Sequence, residues 1–421
     1  MGYGHLKIGR DYLGAPFCFE SFHHGQAVTT LPSGASTDSA TSGTALATGY
    51  QNPENGLIGS DSDGVPVKSI LEIAREAGMK CGIVTTDDIG GATPGAFGAH
   101  EPSRNNVEEI RLDYVAADTT EGREHPASLP DVLLGGGRAG GSAYRAVAAQ
   151  AGYSYVGDVT ALALTAEFAR PSSSASATEP HLSEMVVAAL DRVHPNDDRG
   201  FFLMIESALI DKISHDGTID RRAYLEAELA EFDRAVQVAI AWDLLHPEDE
   251  TLILVTADHE TGISLRTTGN WYYAGTSHTK NNVPIFTNHD VGIGGTVIDN
   301  TDTFAVMWNF LFPPPEPPSA VTVARNAGQL TLRWNPSPEA IGYQVKRSTT
   351  SGGPYAPIAT TETTSFVAAT AGAGSSYYAV VAAFNAMGEA AESTEVKADP
   401  AGPAPRAARG PRINKRGAQL N

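Results

Sequence analysis

Three widely separated groups of polar residues in this 421-residue chain have the types needed for metal-assisted attack on an electrophile. The first is Thr37-Asp38-Ser39-Ala40-Thr41-Ser42-Gly43, which opens a run of small residues ending at Gly49. Such a run suits a tightly packed helix, with Asp38 or Ser39 at its N-terminus. Free N–H groups and the positive end of the helix dipole favour an anion there, so a serine is well placed for phosphoryl transfer. A serine hydroxyl needs a base or a metal to become a nucleophile, and no Gly-x-Ser-x-Gly elbow surrounds Ser39. A metal is the more natural activator; simple capping of the helix is the competing reading. The second group follows the apolar run Phe201–Ile205: Glu206, then Asp211 and His215, which on a helix lie at i and i+4 on one face. The third follows Leu252–Val255: Asp258 and His259, at a strand's carboxyl end, where open α/β sheets place their ligands. Mixed oxygen and nitrogen donors suit zinc, and all-oxygen sets suit magnesium. Each pair also reads as ordinary polar residues at strand ends.

These residues need a scaffold, and the pattern over residues 1–312 supplies one. Pro66 opens a helical spacing of Val67, Ile70, Leu71, Ile73, Ala74 and Ala77 that Gly78 stops. Met79–Val84, Phe201–Ile205 and Leu252–Val255 read as buried strands, and residues 221–245 as a long helix. Continuous apolar strands separated by helices predict an α/β sheet covered on both faces. The stiff Pro313-Pro314-Pro315-Glu316-Pro317-Pro318 linker ends this region. Beyond it the pattern turns to short β segments around Trp334, Tyr343 and Tyr377–Ala382. Charge changes at the same place: residues 1–312 carry 19 Lys+Arg against 42 Asp+Glu, and residues 313–421 carry 10 against 7.

The net charge of −20 argues against general nucleic-acid binding, since a polyphosphate backbone is repelled. With 41% hydrophobic residues a large core is available. Cys18 and Cys81 are expected as free thiols. No stretch of eighteen apolar residues predicts a membrane span. The basic, Pro/Gly/Ala-rich residues 399–421 are expected to be disordered.

Taken together, Thr37-Asp38-Ser39-Ala40, Ile205-Glu206-Ser207-Ala208-Leu209-Ile210-Asp211-Lys212-x-x-His215, Thr256-Ala257-Asp258-His259-Glu260 and Thr276-Ser277-His278-Thr279 resemble, in order, the motifs of alkaline phosphatases. Ala92-Thr93-Pro94-Gly95-Ala96-Phe97-Gly98-Ala99-His100 and Ser103-Arg104-Asn105 resemble the same family. The resemblance implies a three-layer α/β sandwich over residues 1–312, with a mostly parallel central sheet. It also implies phosphate-monoester hydrolysis through a phosphoserine at Ser39, with two zinc ions and one magnesium ion. Asp211, His215 and His278 match the ligands of one zinc, and Asp258 and His259 those of the second. Glu206 and Thr93 match magnesium ligands. Arg104 matches a phosphate-binding arginine, whose guanidinium can hold two oxygens at once. Lys212 matches a lysine placed near phosphate. Residues 319–398 resemble a fibronectin type III module, an all-β sandwich.

Two departures from the family pattern set further expectations. The chain opens at Met1-Gly2, inside a motif that elsewhere supplies a β-strand and an Asp bridging the second zinc and the magnesium. A truncated chain with weak or absent activity is the expectation, since a lost central strand exposes its neighbours' edges. Gly91 stands where some members carry Asp or His near the third metal. The same truncation would remove an export signal, and the appended module agrees with an extracellular or periplasmic location. A homodimer and contact with a cell surface or polysaccharide are further expectations. The alternatives are a related phosphodiesterase or sulfatase-like hydrolase, and a catalytically inactive adhesion protein.

Overall fold

The computed structural model describes residues 1–136, 142–154, 180–194, 199–216, 222–326, 329–338, 340–369, 376–385 and 388–398. The expected tail at 399–421 lies outside the described residues. The chain divides into two compact units, Met1–Leu311 and Phe312–Asn421.

In the first unit, β2 (Lys80–Asp88) lies between β3 (Val132–Gly136) and β4 (Phe201–Glu206), all three parallel. Thr85 pairs with Glu206, so the carboxyl ends of β2 and β4 sit side by side. Helices α7 (Leu182–Val193) and α9 (Arg222–Leu245) cover this sheet. They pack Met185, Val186, Leu190 and Ala235 against Val84, Val132 and Leu134. A second sheet runs in the order β5 (Leu254–Val255), β8 (Val283–Thr287), β1 (His23–Val28), β9 (Val297–Asp299). Its β5–β8 and β1–β8 pairs are antiparallel, and only β1–β9 is parallel. Leu6 and Ile8 of α1 (Tyr3–Leu13) join Phe19, Ile253, Val255 and Phe286 in the core beside this sheet.

The single, mostly parallel sheet expected from the sequence is therefore divided among the described residues. β4 bonds only β2, and β5 bonds only β8. Both open edges line a cavity of about 650 Å³. The cavity is walled by apolar side chains such as Leu203, Ile205, Ile253, Phe232 and Met307, and one end reaches Ser39.

Local chemistry sets several boundaries. The helix expected from Pro66 begins instead at Ile70 (α3, Ile70–Glu76). Ser69 accepts from the Glu72 N–H, and the Glu72 carboxylate accepts from the Ser69 N–H. This reciprocal capping box fixes the helix start more strongly than a proline three residues earlier. Helix α2 (Ser39–Thr48) is built from small residues because it packs closely on α4 (Ala92–Gly98). A Cβ added at Gly43 would lie 3.1 Å from that of Ala96. The remaining elements include α5 (Val107–Asp113), α6 (Ser142–Gln150), α8 (Leu209–Asp216), the antiparallel hairpin β6 (Thr261–Leu265) and β7 (Trp271–His278), and α10 (Asp302–Leu311).

The second unit has two antiparallel sheets. One orders β10 (Thr322–Asn326), β11 (Gln329–Arg333) and β14 (Ser365–Ala369). The other orders β13 (Ala356–Thr361), β12 (Gly342–Ser348), β15 (Tyr377–Asn385) and β16 (Gly388–Glu389), with β17 (Val396–Ala398) also on β15. Leu332, Trp334, Tyr343, Val345 and Val381 form their common core. Among the described residues no helix is long and apolar enough to cross a membrane. Cys18 and Cys81 are free thiols.

Candidate active site

Asp38, not Ser39, caps α2: its Oδ1 accepts from the Thr41 N–H at 3.0 Å. That leaves Ser39 as the first helical residue, with its hydroxyl available. Asp38 Oδ2 also takes Arg104 Nη1 at 3.0 Å, so the cap fixes the arginine at the same helix end. The loop before α5 is held there because the Arg104 N–H donates to the Gly56 carbonyl.

Ser39 Oγ lies 2.9 Å from His259 Nε2, across 220 positions of sequence. Asp258 Oδ2 lies 3.1 Å from the same nitrogen. A proton or a cation among these three atoms satisfies all of them. The His259–Asp258 strand end is fastened to α2, since Ser42 Oγ donates to the Asp258 carbonyl at 2.5 Å and Asn300 donates to Ser42. Burial by itself would raise the Asp258 carboxyl. The charges of His259, the Met1 ammonium and His278, with a hydrogen bond from His259, outweigh burial and hold it well below the usual carboxylate range.

Asp211, His215 and His278 bring one ligand atom each to within 4.8 Å of one another. Helix α8 aligns the first two as its spacing requires, with His215 Nε2 3.4 Å from Asp211 Oδ2. The β6–β7 register places His278 opposite Thr261 and so beside them. The nitrogens are oriented from behind. His215 Nδ1 donates to the Thr276 carbonyl at 2.6 Å and His278 Nδ1 to the Thr37 carbonyl at 2.7 Å. A carbonyl only accepts, so both Nδ1 atoms carry a proton, and the Nε2 of such a ring in its neutral form presents a lone pair. Those two lone pairs face each other at 3.1 Å beside a carboxylate. The arrangement is repulsive unless a cation or proton lies between them, and its donor set fits zinc. Burial, then the charge of His259, lowers the His278 pKa. The rings of His259 and His278 stack with centroids 3.6 Å apart, joining the two groups.

Glu206 stands on a different wall. Thr85 Oγ1 donates to its Oε2 at 2.5 Å, and Thr93 at the start of α4 also bonds it. Burial, then the charge of Asp87, pushes the Glu206 carboxyl up to about 8. A buried carboxylate with hydroxyl neighbours is an all-oxygen set that fits magnesium. Lys212 pairs with Asp87 Oδ1, not with the helix end at Ser39.

All ten residues singled out from the sequence thus line or adjoin one end of the cavity. The sequence reading does not include Thr261, Thr85 or Asp87. Thr261 Oγ1 donates to Asp211 Oδ1 at 2.5 Å and accepts from His259 Nδ1 at 3.0 Å. A hydroxyl three residues past a strand-end Asp carries no signal of its own; the link depends on α8 and β6 meeting.

The sequence model of the alkaline phosphatase family matches residues 14–174 and 163–292. Alkaline phosphatase 4 of Bacillus subtilis is 39% identical over 242 residues, covering 54% of this chain and 50% of that protein. The chain spans about half the length of the curated relatives it matches. Among solved structures, a cold-active alkaline phosphatase from a psychrophilic Shewanella aligns with a TM-score of 0.63 and 24% identity. That alignment covers 74% of this chain and 97% of the other. An alkaline phosphatase mutant of TAB5, with Mg bound in its M3 site, aligns at 0.59 and 24%, over 74% and 94%. The structural likenesses place the fold, and the family match makes this chain a member of the alkaline phosphatase family.

Proposed function

We propose that the chain hydrolyses phosphate monoesters through a phosphoserine at Ser39, with two zinc ions and one magnesium ion. Asp211, His215 and His278 would hold one zinc, Asp258 and His259 the other, and Glu206 with Thr93 the magnesium. The observation that carries this reading is the pair of Nε2 lone pairs at 3.1 Å, locked from behind by backbone carbonyls, next to a serine at a helix N-terminus. When bound, the cations polarise the ester oxygens and favour ionised hydroxyls.

The chain's own groups do the positioning. Arg104, steadied by Asp38, holds non-bridging oxygens of the phosphoryl group, and the N–H groups opening α2 face the same anion. Ser39 Oγ forms the new O–P bond as the bond to the leaving oxygen breaks, and the alcohol departs with a proton. Water then cleaves the O–P bond at Ser39 and regenerates the hydroxyl. Catalysis of this kind rests on positioning and charge neutralisation. The phosphoryl group is therefore selected more strongly than the alcohol.

The test is turnover of p-nitrophenyl phosphate together with metal content. Ser39→Ala is expected to cost on the order of a thousand-fold or more in kcat while zinc stays bound. Unchanged turnover in that variant, or a wild-type protein that takes up no zinc, overturns the reading. Residues 319–398 we read as a fibronectin type III-like domain, on the strength of Trp334 packed edge-to-face on Tyr343 at 5.4 Å between two sheets. An extracellular or periplasmic location goes with that reading.

A further inference from the structure

Asp38 and Arg104 are 66 positions apart in sequence, and a short strap, residues 54–59, joins the helix end of the first to the segment of the second. Thr41 and Thr44 lie one turn apart on one face of α2, both buried. Thr41 Oγ1 donates to the Glu54 carbonyl at 2.9 Å, and Thr44 Oγ1 to the Leu57 carbonyl at 3.2 Å. The Gly59 N–H donates back to Thr44 Oγ1 at 3.0 Å. Two threonine hydroxyls thus fix the strap along the helix that opens with Ser39.

The other edge of the strap fixes the Arg104 segment. The Arg104 N–H donates to the Gly56 carbonyl at 2.8 Å, and Ile58 and Glu101 exchange both backbone hydrogen bonds, at 2.9 and 3.0 Å. These bonds set the register of residues 101–104 against 56–58, and so where Arg104 stands relative to the first turn of α2.

At the serine end, Asn55 and Gly56 reach Asp38 directly. The Asp38 N–H donates to Asn55 Oδ1 at 2.9 Å, and Asn55 Nδ2 donates to the Ser36 carbonyl at 3.5 Å. The Gly56 N–H donates to Asp38 Oδ1 at 3.3 Å, beside the capping bond from Thr41. Gly56 therefore gives its N–H to the residue that grips the Arg104 guanidinium and its carbonyl to the Arg104 backbone. It does so at a φ of +103°, strained for any residue with a side chain, whereas a Cβ there would meet nothing within 4 Å. The glycine is needed for conformation and not for space.

Arg104 depends on such support. Its side chain is 37% exposed, and holding a long guanidinium side chain costs rotamer freedom. Asp38 Oδ2 takes Nη1 at 3.0 Å, a bond that orients the arginine only if Asp38 is itself fixed. Asn55 fixes its backbone, and Gly56 with Thr41 fixes its other carboxylate oxygen.

We propose that Asn55 and Gly56 are positioning residues for phosphate binding, which act through Asp38 and the Arg104 backbone to hold the guanidinium in register with Ser39. The proposal rests on the monoesterase reading above and adds the element that sets the arginine.

The test uses the zinc-loaded full chain. Inorganic phosphate is titrated calorimetrically into wild type, Asn55→Ala, Gly56→Ala, Arg104→Ala and the double variant of Asn55→Ala with Arg104→Ala, and turnover of p-nitrophenyl phosphate is measured alongside. Asn55→Ala is expected to weaken phosphate about three- to ten-fold, with zinc content and melting temperature retained. The loss in turnover should fall on KM more than on kcat. Gly56→Ala, which strains the turn, is expected to weaken phosphate about ten-fold or more. In the Arg104→Ala background, Asn55→Ala should change phosphate affinity by less than about two-fold, because a residue acting through the arginine then has nothing to position. If Gly56→Ala does not fold, the cycle of Asn55 with Arg104 decides by itself. Wild-type phosphate affinity in Asn55→Ala, an equal loss with and without Arg104, or a loss that comes with loss of zinc overturns the proposal and leaves the monoesterase reading standing. A wild type that neither binds phosphate nor turns over the ester overturns both.

Discussion

The two walls of the site solve the problem of gathering charge in different ways. On the wall of Asp211, His215, His278 and His259, every ring has its rear nitrogen committed: to Thr276, to Thr37 and to Thr261. The front nitrogens converge because backbone carbonyls and one hydroxyl point them there. On the wall of Glu206 and Asp87, two carboxylates converge, and burial with mutual repulsion pushes Glu206 up to about 8. The first wall is oriented before any cation arrives. On the second, burial and the neighbouring Asp87 favour the protonated form of the Glu206 carboxyl. Preorganised nitrogen ligands give one kind of site and a proton-competing oxygen pocket gives another, although both open on the same serine.

The contrast can be broken most severely at Thr261, whose hydroxyl joins Asp211 to His259. Thr261→Val keeps the shape and removes both bonds. Zinc affinity is expected to fall about ten- to a hundred-fold, with the loss in kcat rather than KM, as read by metal-buffered kinetics. Wild-type affinity would mean that the imidazole wall is not held from behind.

The pH response sharpens the same contrast. Glu206 has its folded pKa raised from 4.5 to about 8, so the metal-free folded state binds this proton more tightly than the unfolded chain. Its contribution is fully present below about pH 4.5 and is lost as pH rises through about 8. Melting temperatures of the metal-free protein should fall from pH 5 to pH 8. Glu206→Gln should flatten that fall, and Mg2+ should raise the wild-type melting temperature most at the upper end. Asp258, lowered instead, works in the opposite sense: its contribution is present above its ordinary range and is lost in acid. Equal pH slopes for wild type and Glu206→Gln would remove the distinction between the walls.

The smallest effect is expected at Ser42, which ties the Asp258 carbonyl to α2 and accepts from Asn300. Ser42→Ala should cost about 1 kcal/mol of stability, measured by denaturant unfolding, with a modest loss in kcat. A large drop in kcat without a stability change would assign Ser42 to the chemistry instead.

Much of the site can be read along the chain. Asp211 and His215 share a helix face because 3.6 residues make a turn, and Asp258-His259 follow an apolar strand that must end at the sheet's carboxyl edge. Helix α2 is legible in its small residues, and its cap narrows to Asp38 or Ser39. Other features are not legible. The start of α3 depends on which of two local signals wins, and Ser69 with Glu72 prevails over Pro66. Whether the strands join into one sheet depends on pairings between residues far apart in sequence. Among the described residues β4 and β5 each keep an open edge on a common cavity, and no window of sequence displays that.

The sequence by itself determined the kinds of donor and the elements that carry them, because periodicity, capping and strand ends are local properties of the chain. The tertiary structure alone decided who faces whom. Thr261 stands opposite His278 through the β6–β7 register, and Thr85 beside Glu206 through the β2–β4 register. Those relations arise from register and packing between segments more than a hundred residues apart in two of the decisive contacts, Ser39 with His259 and Thr85 with Glu206. Side-chain type fixes what chemistry is possible, and only the packed fold sets the distances at which it acts.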